Sequence, residues 1–300
     1  MSQLLLLMLP DRQTQALVQL ARVHNLLPSF LLVMVGAWAG SGRDLAALRA
    51  PGVWLMSLLS GGIAVSSCVF NDYFDVQVDR ANAPHKPLAS GVLPLDIALL
   101  LSSSVYCAVL ITACFMEPSQ LRSIIALSAG ATLLYTPVFK KLTAIKNATV
   151  AVVIALAPLG GALAAGAGEA GVMRLLPATL FAFSGVMFRE IVMDLTDLEG
   201  DRAAGIKTLP VMIGQRGALL AATCCVLAGA AAALASATAA WGPRAAAARA
   251  AVVVLATARL GQLSFGILKS GFDRAVMGSA IEESLKPVGL CLILLSALAP

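Results

Sequence analysis

Residues 50–79 read APGVWLMSLLSGGIAVSSCVFNDYFDVQVD. Residues 50–71 contain no Asp, Glu, Lys or Arg. That is enough apolar chain for one bilayer-crossing helix, which needs about 20 residues. The last nine residues, Asn71-Asp72-Tyr73-Phe74-Asp75-Val76-Gln77-Val78-Asp79, then introduce three carboxylates at once. An apolar run ending in an acidic cluster raises two questions: how many such runs the chain holds, and what the acids bind.

The 300 residues are 59% hydrophobic and 12% charged, with a mean hydropathy of +0.88. A soluble domain carries roughly twice that charge, and a disordered chain would be far less apolar. The chain must be solvated largely by lipid. Charge-poor stretches fall at 23–42, 50–71, 97–116, 123–139, 147–168, 175–188, 217–243, 250–268 and 287–300. The stretch 175–188 is short, but a helix can run on through Arg189 and Glu190. These stretches predict an all-α, polytopic membrane bundle of about nine spans. If the spans alternate, fourteen of the 21 basic residues fall on the side of the N-terminus and six on the other, with Arg259 inside a span. The positive-inside rule then puts the N-terminus and the acidic loops on the cytosol-like face. The net charge of +5 is scattered among apolar spans and not massed on one element, which argues against nucleic acid as a partner. The six cysteines form no CxxC and read as small buried hydrophobes.

A second acidic cluster follows the stretch 175–188. Asp194, Asp197 and Asp201 repeat the i, i+3, i+7 spacing of Asp72, Asp75 and Asp79, 122 residues later. On one continuous helix each triplet would stack on a single face. Stacked like charges are unfavourable without a cation among them. The candidate ligands are six carboxylates and the Asn71 amide, all oxygen, with no Cys or His interleaved. Such a set suits Mg²⁺ and disfavours zinc or copper. Each triplet is followed by an arginine (Arg80, Arg202), then by a lysine before a Pro-containing turn (Lys86, Lys207). Tyr135, Lys140 and Lys141 stand at the exit of span four. Arg and Lys beside bound metal are what a phosphorylated ligand needs. The doubled pattern suggests an internal repeat over about 50–140 and 175–268. A secondary transporter or ion pathway also uses intramembrane aspartates, but its acids lie near the bilayer midplane, whereas these lie at span ends.

Asn71–Asp79 has the form NDxxDxxxD, and Asp194–Asp201 the form DxxDxEGD. The pair resembles the UbiA superfamily of intramembrane prenyltransferases. Tyr135 with Lys140 resembles that family's tyrosine–lysine element, and Arg22 its N-terminal arginine. The resemblance implies one membrane domain over 1–300, with nine helices around a central cavity capped on the cytosolic side. It implies Mg²⁺-dependent transfer of a polyprenyl group from its diphosphate to an acceptor, either an aromatic ring or a lipid alcohol. Carried over, Asn71, Asp75 and Asp79 serve one metal, with Asp72 supporting. Asp197 and Asp201 serve the other, with Asp194 nearby. Arg22, Arg80, Lys86, Tyr135, Lys140, Arg202 and Lys207 contact or neutralise the diphosphate. Asn82–Gly91 resembles the NxPxxPLASG form found in plastid quinone, tocopherol, chlorophyll and archaeal ether-lipid branches, which leaves plastid, bacterial and archaeal membranes open. The residues do not assign the base that takes the acceptor's proton; a motif aspartate and His85 are the candidates.

Overall fold

The computed structural model describes residues 11–203, 205–235 and 243–298. Among the described residues the regular structure is helical, with no strand. The helices are α1 (Arg12–Leu20), α2 (Leu26–Gly40), α3 (Pro51–Phe74), α4 (Val76–Asn82), α5 (Leu95–Cys114) and α6 (Ser119–Tyr135). They continue with α7 (Ile145–Ala164), α8 (Gly168–Thr196), α9 (Leu198–Ala203), α10 (Leu209–Ala235), α11 (Pro243–Lys269) and α12 (Arg274–Ala297).

The charge-free stretches fall on the long helices α2, α3, α5, α6, α7, α8, α10, α11 and α12. Among the described residues, seven helices are long and apolar enough to cross a membrane. α6, with 17 residues, is short of that, and α12 carries Glu282, Glu283 and Lys286 midway along it. α8 continues past residue 188 to Thr196, taking Arg189 and Glu190 into the helix as the sequence allowed. Other boundaries differ from the sequence expectation. α11 begins at Pro243, so Arg249 is buried inside it, not placed in a loop. α12 begins at Arg274, well before residue 287. Charge-free counting stops at every ionised side chain, whereas a helix continues wherever that side chain finds a partner. Residues 236–242 of the seventh stretch and 299–300 of the last lie outside the described residues.

α8 is the hub, packing against α10, α12, α7 and α2. Its most apolar window is 67% buried, against 28% for α2, α5 and α11. The outer helices turn large apolar side chains outward, among them Leu100, Ile111, Leu220, Leu255 and Phe265. A lipid-facing wall accounts for this exposure. The cysteines share it: only Cys291 is buried, while Cys107, Cys114 and Cys224 are exposed on the helix surfaces. That corrects the expectation of six buried thiols.

Lipid tails are as apolar as leucine, so helices in a membrane associate mainly through close packing. α2 and α7 meet backbone to backbone. A Cβ at Gly36 would collide with the Pro158 carbonyl, and one at Gly161 with the Val33 carbonyl. Between α8 and α10, a Cβ at Gly229 would collide with the Ser184 side chain. The Ala/Gly-rich stretches therefore include helix crossings in which glycine is required.

Gly161→Leu is expected to destabilise the protein by about 2 kcal/mol or more, because the clash is with main chain that cannot move aside. Gly130 has open space around its Cα, and Gly130→Ala is expected to be neutral or mildly stabilising. Thermal unfolding midpoints in detergent check both.

Candidate active site

Each aspartate motif sits where a long helix breaks. α3 ends at Phe74, Asp75 is its C-cap (φ −85°, ψ 0°), and α4 restarts at Val76. α8 ends at Thr196, Asp197 is its C-cap (φ −99°, ψ 3°), and α9 follows from Leu198. The single carboxylate face expected from the i, i+3, i+7 spacing is thus interrupted at the middle aspartate of both motifs. The interruption spreads charges that a continuous helix would stack.

In the first motif every carboxylate has a cation. Asp72 and Asp79 are buried. Arg22 Nη2 lies 2.8 Å from Asp72 Oδ1. Lys86 Nζ bridges Asp72 Oδ1 at 3.3 Å and Asp79 Oδ2 at 2.8 Å. Lys140 Nζ lies 2.5 Å from Asp75 Oδ2. Asn71 Oδ1 accepts a hydrogen bond from Thr136 at 3.0 Å. Arg22 is in the left-handed backbone region (φ 45°, ψ 50°), a conformation costing a non-glycine residue roughly 1–2 kcal/mol. Its ion pair with Asp72 offsets that strain. Burial works against the Lys86 ammonium, but its hydrogen bond to Asp79 and the Asp72 charge outweigh it, holding the pKa above the ordinary lysine value.

The second motif is built on α7. Lys146 Nζ lies 2.5 Å from Asp194 Oδ1, and Asn147 Nδ2 donates to Asp194 Oδ2 at 2.9 Å. Asp197 is exposed. Asp201 Oδ2 is buried and accepts no hydrogen bond among the described residues. Burial pushes the Asp201 carboxyl above the ordinary range, against the pull of the Lys146 charge, and the Asp194 and Asp197 charges push it the same way.

A short strap joins the two motifs. Lys140, on Asp75, lies in a 3-10 turn (Phe139–Lys141), and Lys146, on Asp194, is in the first turn of α7. Between them Ala144 sits at φ 63°, ψ −35°, with Ile145 N donating to Thr143 O at 2.7 Å. This is a γ-turn, a strained conformation for alanine. The Thr143 hydroxyl donates to the Lys207 carbonyl, tying the strap to the loop after α9. Tyr135, at the end of α6, feels the charges of both Asp75 and Asp194.

The structure therefore gathers Arg22, Lys86, Tyr135 and Lys140 around the aspartates. It does not bring in Arg80 or Arg202, which are exposed and make no ion pair among the described residues. Lys207 is also exposed and contributes its carbonyl, not an ion pair. The Lys141 side chain lies outside the described residues, and His85 is exposed. Lys146 and Asn147 are site residues that the sequence reading passed over. Their one signal is polarity at the mouth of an apolar span.

No group of three His, Cys, Asp or Glu among the described residues forms a ready metal cage. The donors are instead oxygens distributed in ones and twos, the pattern a hard divalent cation shares with a phosphorylated ligand. The buried, unpartnered Asp201 Oδ2 is one oxygen that such an ion would satisfy. The carboxylates lie at helix ends, not at mid-span as the transporter alternative requires.

The family model described as the UbiA prenyltransferase family matches residues 29–265. A digeranylgeranylglyceryl phosphate synthase of Natronomonas pharaonis is 33% identical over 210 residues, covering 70% of this chain and 73% of that protein. One from Pyrococcus abyssi is 32% identical over 212 residues, covering 70% and 73%. A solved structure of digeranylgeranylglyceryl phosphate synthase superposes with a TM-score of 0.75 at 22% identity, over 96% of this chain and 98% of that one. A UbiA homolog from Archaeoglobus fulgidus bound to GPP and Mg²⁺ superposes with a TM-score of 0.64 at 19% identity, over 93% and 99%. At those identities the two structures speak to the fold.

Lys146→Met leaves the buried Asp194 without its charge partner. The expected cost is about 3–5 kcal/mol, and the double variant Lys146→Met/Asp194→Asn should recover most of it. Thermal midpoints of the two single variants and the double variant measure the coupling.

Proposed function

The chain belongs to the UbiA prenyltransferase family, and from that premise we propose that it performs Mg²⁺-dependent transfer of a polyprenyl group from a polyprenyl diphosphate to the hydroxyl of a lipid alcohol with a glycerol phosphate head. The observation that carries the reading is the gathering of Arg22, Lys86, Lys140 and Lys146 onto the two broken aspartate motifs. So many cations are more than a metal site alone needs, and they suit a multiply charged anion. The relatives named as digeranylgeranylglyceryl phosphate synthases support a lipid alcohol over an aromatic ring. The Archaeoglobus fulgidus homolog bound to GPP and Mg²⁺ supports the donor and the metal.

On this reading Asn71, Asp75 and Asp79 hold one divalent cation and Asp197 and Asp201 the other, with Asp72 and Asp194 behind them. Divalent cations held there would supply positive charge against the leaving diphosphate. Arg22, Lys86, Lys140 and Lys146 donate to the diphosphate oxygens, and Tyr135 lies between the motifs. Preorganised donors aimed at developing charge do much of the catalytic work in such sites. The charge-free stretch 175–188 of α8 and its neighbours keep water from the allylic cation. The excess of basic residues beside the motifs supports a mouth on the cytosol-like face.

Membranes containing the protein, incubated with labelled geranylgeranyl, phytyl, farnesyl or longer diphosphates and a panel of lipid-alcohol and aromatic acceptors, are expected to yield a prenyl ether by mass spectrometry. EDTA should abolish it and Mg²⁺ restore it. Asp75→Ala and Asp197→Ala should each lower it by 100-fold or more, roughly the loss of a principal charge-stabilising group, while the protein still inserts. Full activity in EDTA or in either variant overturns the metal assignment. A prenylated aromatic product with no ether overturns the acceptor.

A further inference from the structure

We propose that Glu190 is the group that receives the acceptor's hydroxyl proton; the inference rests on the transferase reading above. Forming the ether breaks the donor's C1–O bond, whose electron pair leaves with the diphosphate. The acceptor oxygen bonds to C1, and its proton must go to a base within reach. The six motif aspartates are committed elsewhere, to cation pairs or to the metal positions. His85 is exposed. The ten other carboxylates are Asp11, Asp44, Asp96, Glu117, Glu169, Glu190, Glu199, Asp273, Glu282 and Glu283. Of these, Glu190 alone lies inside the bundle beside the motifs: it feels the charges of Asp194 and Lys146, and Tyr135 in turn feels that of Glu190.

Its position along α8 fits the role. Glu190 precedes Asp194 by four residues, so it shares that residue's face, one turn or about 6 Å further from the mouth. A diphosphate held at Lys146, beside Asp194, has its C1 on the bundle side of its phosphates, towards the level of Glu190. The carboxylate is also oriented for the task. Oε1 is held by Arg189 Nη1 at 2.8 Å, while Oε2 accepts no hydrogen bond among the described residues. The arginine holds one oxygen in place, and the other oxygen is the one that accepts the proton. An Arg189–Glu190 pair serving only to cancel charge would leave catalysis indifferent to Glu190, provided the fold survives.

The test compares Glu190→Gln, Glu190→Asp and the wild-type protein in detergent, measuring ether formation and the thermal stabilisation given by Mg²⁺ with the prenyl diphosphate. Glu190→Gln is expected to lower kcat for the ether by about 100-fold or more, in the range of a lost general base. The donor KM and the donor-induced stabilisation should be unchanged, and Glu190→Asp should keep part of the rate. Ether formation within a few-fold of wild type in Glu190→Gln overturns the inference. So does a rate loss matched by loss of donor-induced stabilisation, which marks a structural role. If Glu190→Gln does not fold, full wild-type kcat in Glu190→Asp overturns it, since one methylene less withdraws the carboxylate, and a kcat fall at constant donor KM sustains it. A wild-type protein that yields no ether from any acceptor overturns the transferase reading itself, and Glu190's role falls with it.

Discussion

The pairing of buried carboxylates with ammonium and guanidinium groups is the constraint on which the rest of this molecule depends. A lone ionised carboxylate at the edge of a lipid-solvated bundle is unaffordable in free energy. Asp72, Asp79 and Asp194 are all buried, so each needs a partner, and the partners come from remote parts of the chain. Arg22 reaches Asp72 from the segment before α2, Lys86 comes from the loop after α4, and Lys146 from the start of α7. These pairs require α2 and α7 to begin where α3 and α8 end, on the same side. The electrostatics of the mouth and the topology of the bundle are one requirement.

Away from the mouth, cohesion has a different source. Glycine and alanine let α2 and α7 touch through main chain, and let α10 lie close against α8. Close approach keeps α8 at the centre, and α8 carries the second motif. A loosened crossing at Gly36 or Gly161 would therefore disturb Lys146 and Asn147, which ride on α7 and fix Asp194. Packing far from the chemistry sets the geometry of the chemistry.

Much of this was legible in the sequence because it rests on composition and spacing. The helical bundle follows from charge-free runs, and the two motifs stand out because carboxylates are scarce elsewhere. Boundaries were less legible. Arg249 reads as lying outside its span, yet it is buried inside a helix, since burial of a charge depends on surroundings that one sequence does not reveal. The break at Asp75 and at Asp197 carries no Gly or Pro signal. The role of Lys146 was hidden for a related reason: its partner lies 48 residues away, and nothing local separates it from a surface lysine. Arg80 and Arg202 misled in the opposite direction, because adjacency to a motif in sequence is not adjacency on a helix.

The internal layout of α8 sets out the order of a prenyl substrate along one helix. At its mouth end Asp197 is exposed, and one turn in Asp194 is buried on Lys146. One turn further, Glu190 is held by Arg189, and beyond it residues 175–188 carry no charge. Polarity thus falls in steps from a wet, ionic entrance, through a single carboxylate, to an apolar shaft. A diphosphate is stable only in the first of these environments and an isoprenoid tail only in the last. The bond between them is left at the step, beside the one carboxylate at that depth. The same arrangement explains why Arg189 and Glu190 must sit as a pair: either one alone at that depth would be an uncompensated charge, whereas together they hold a carboxylate where the bundle would otherwise admit none.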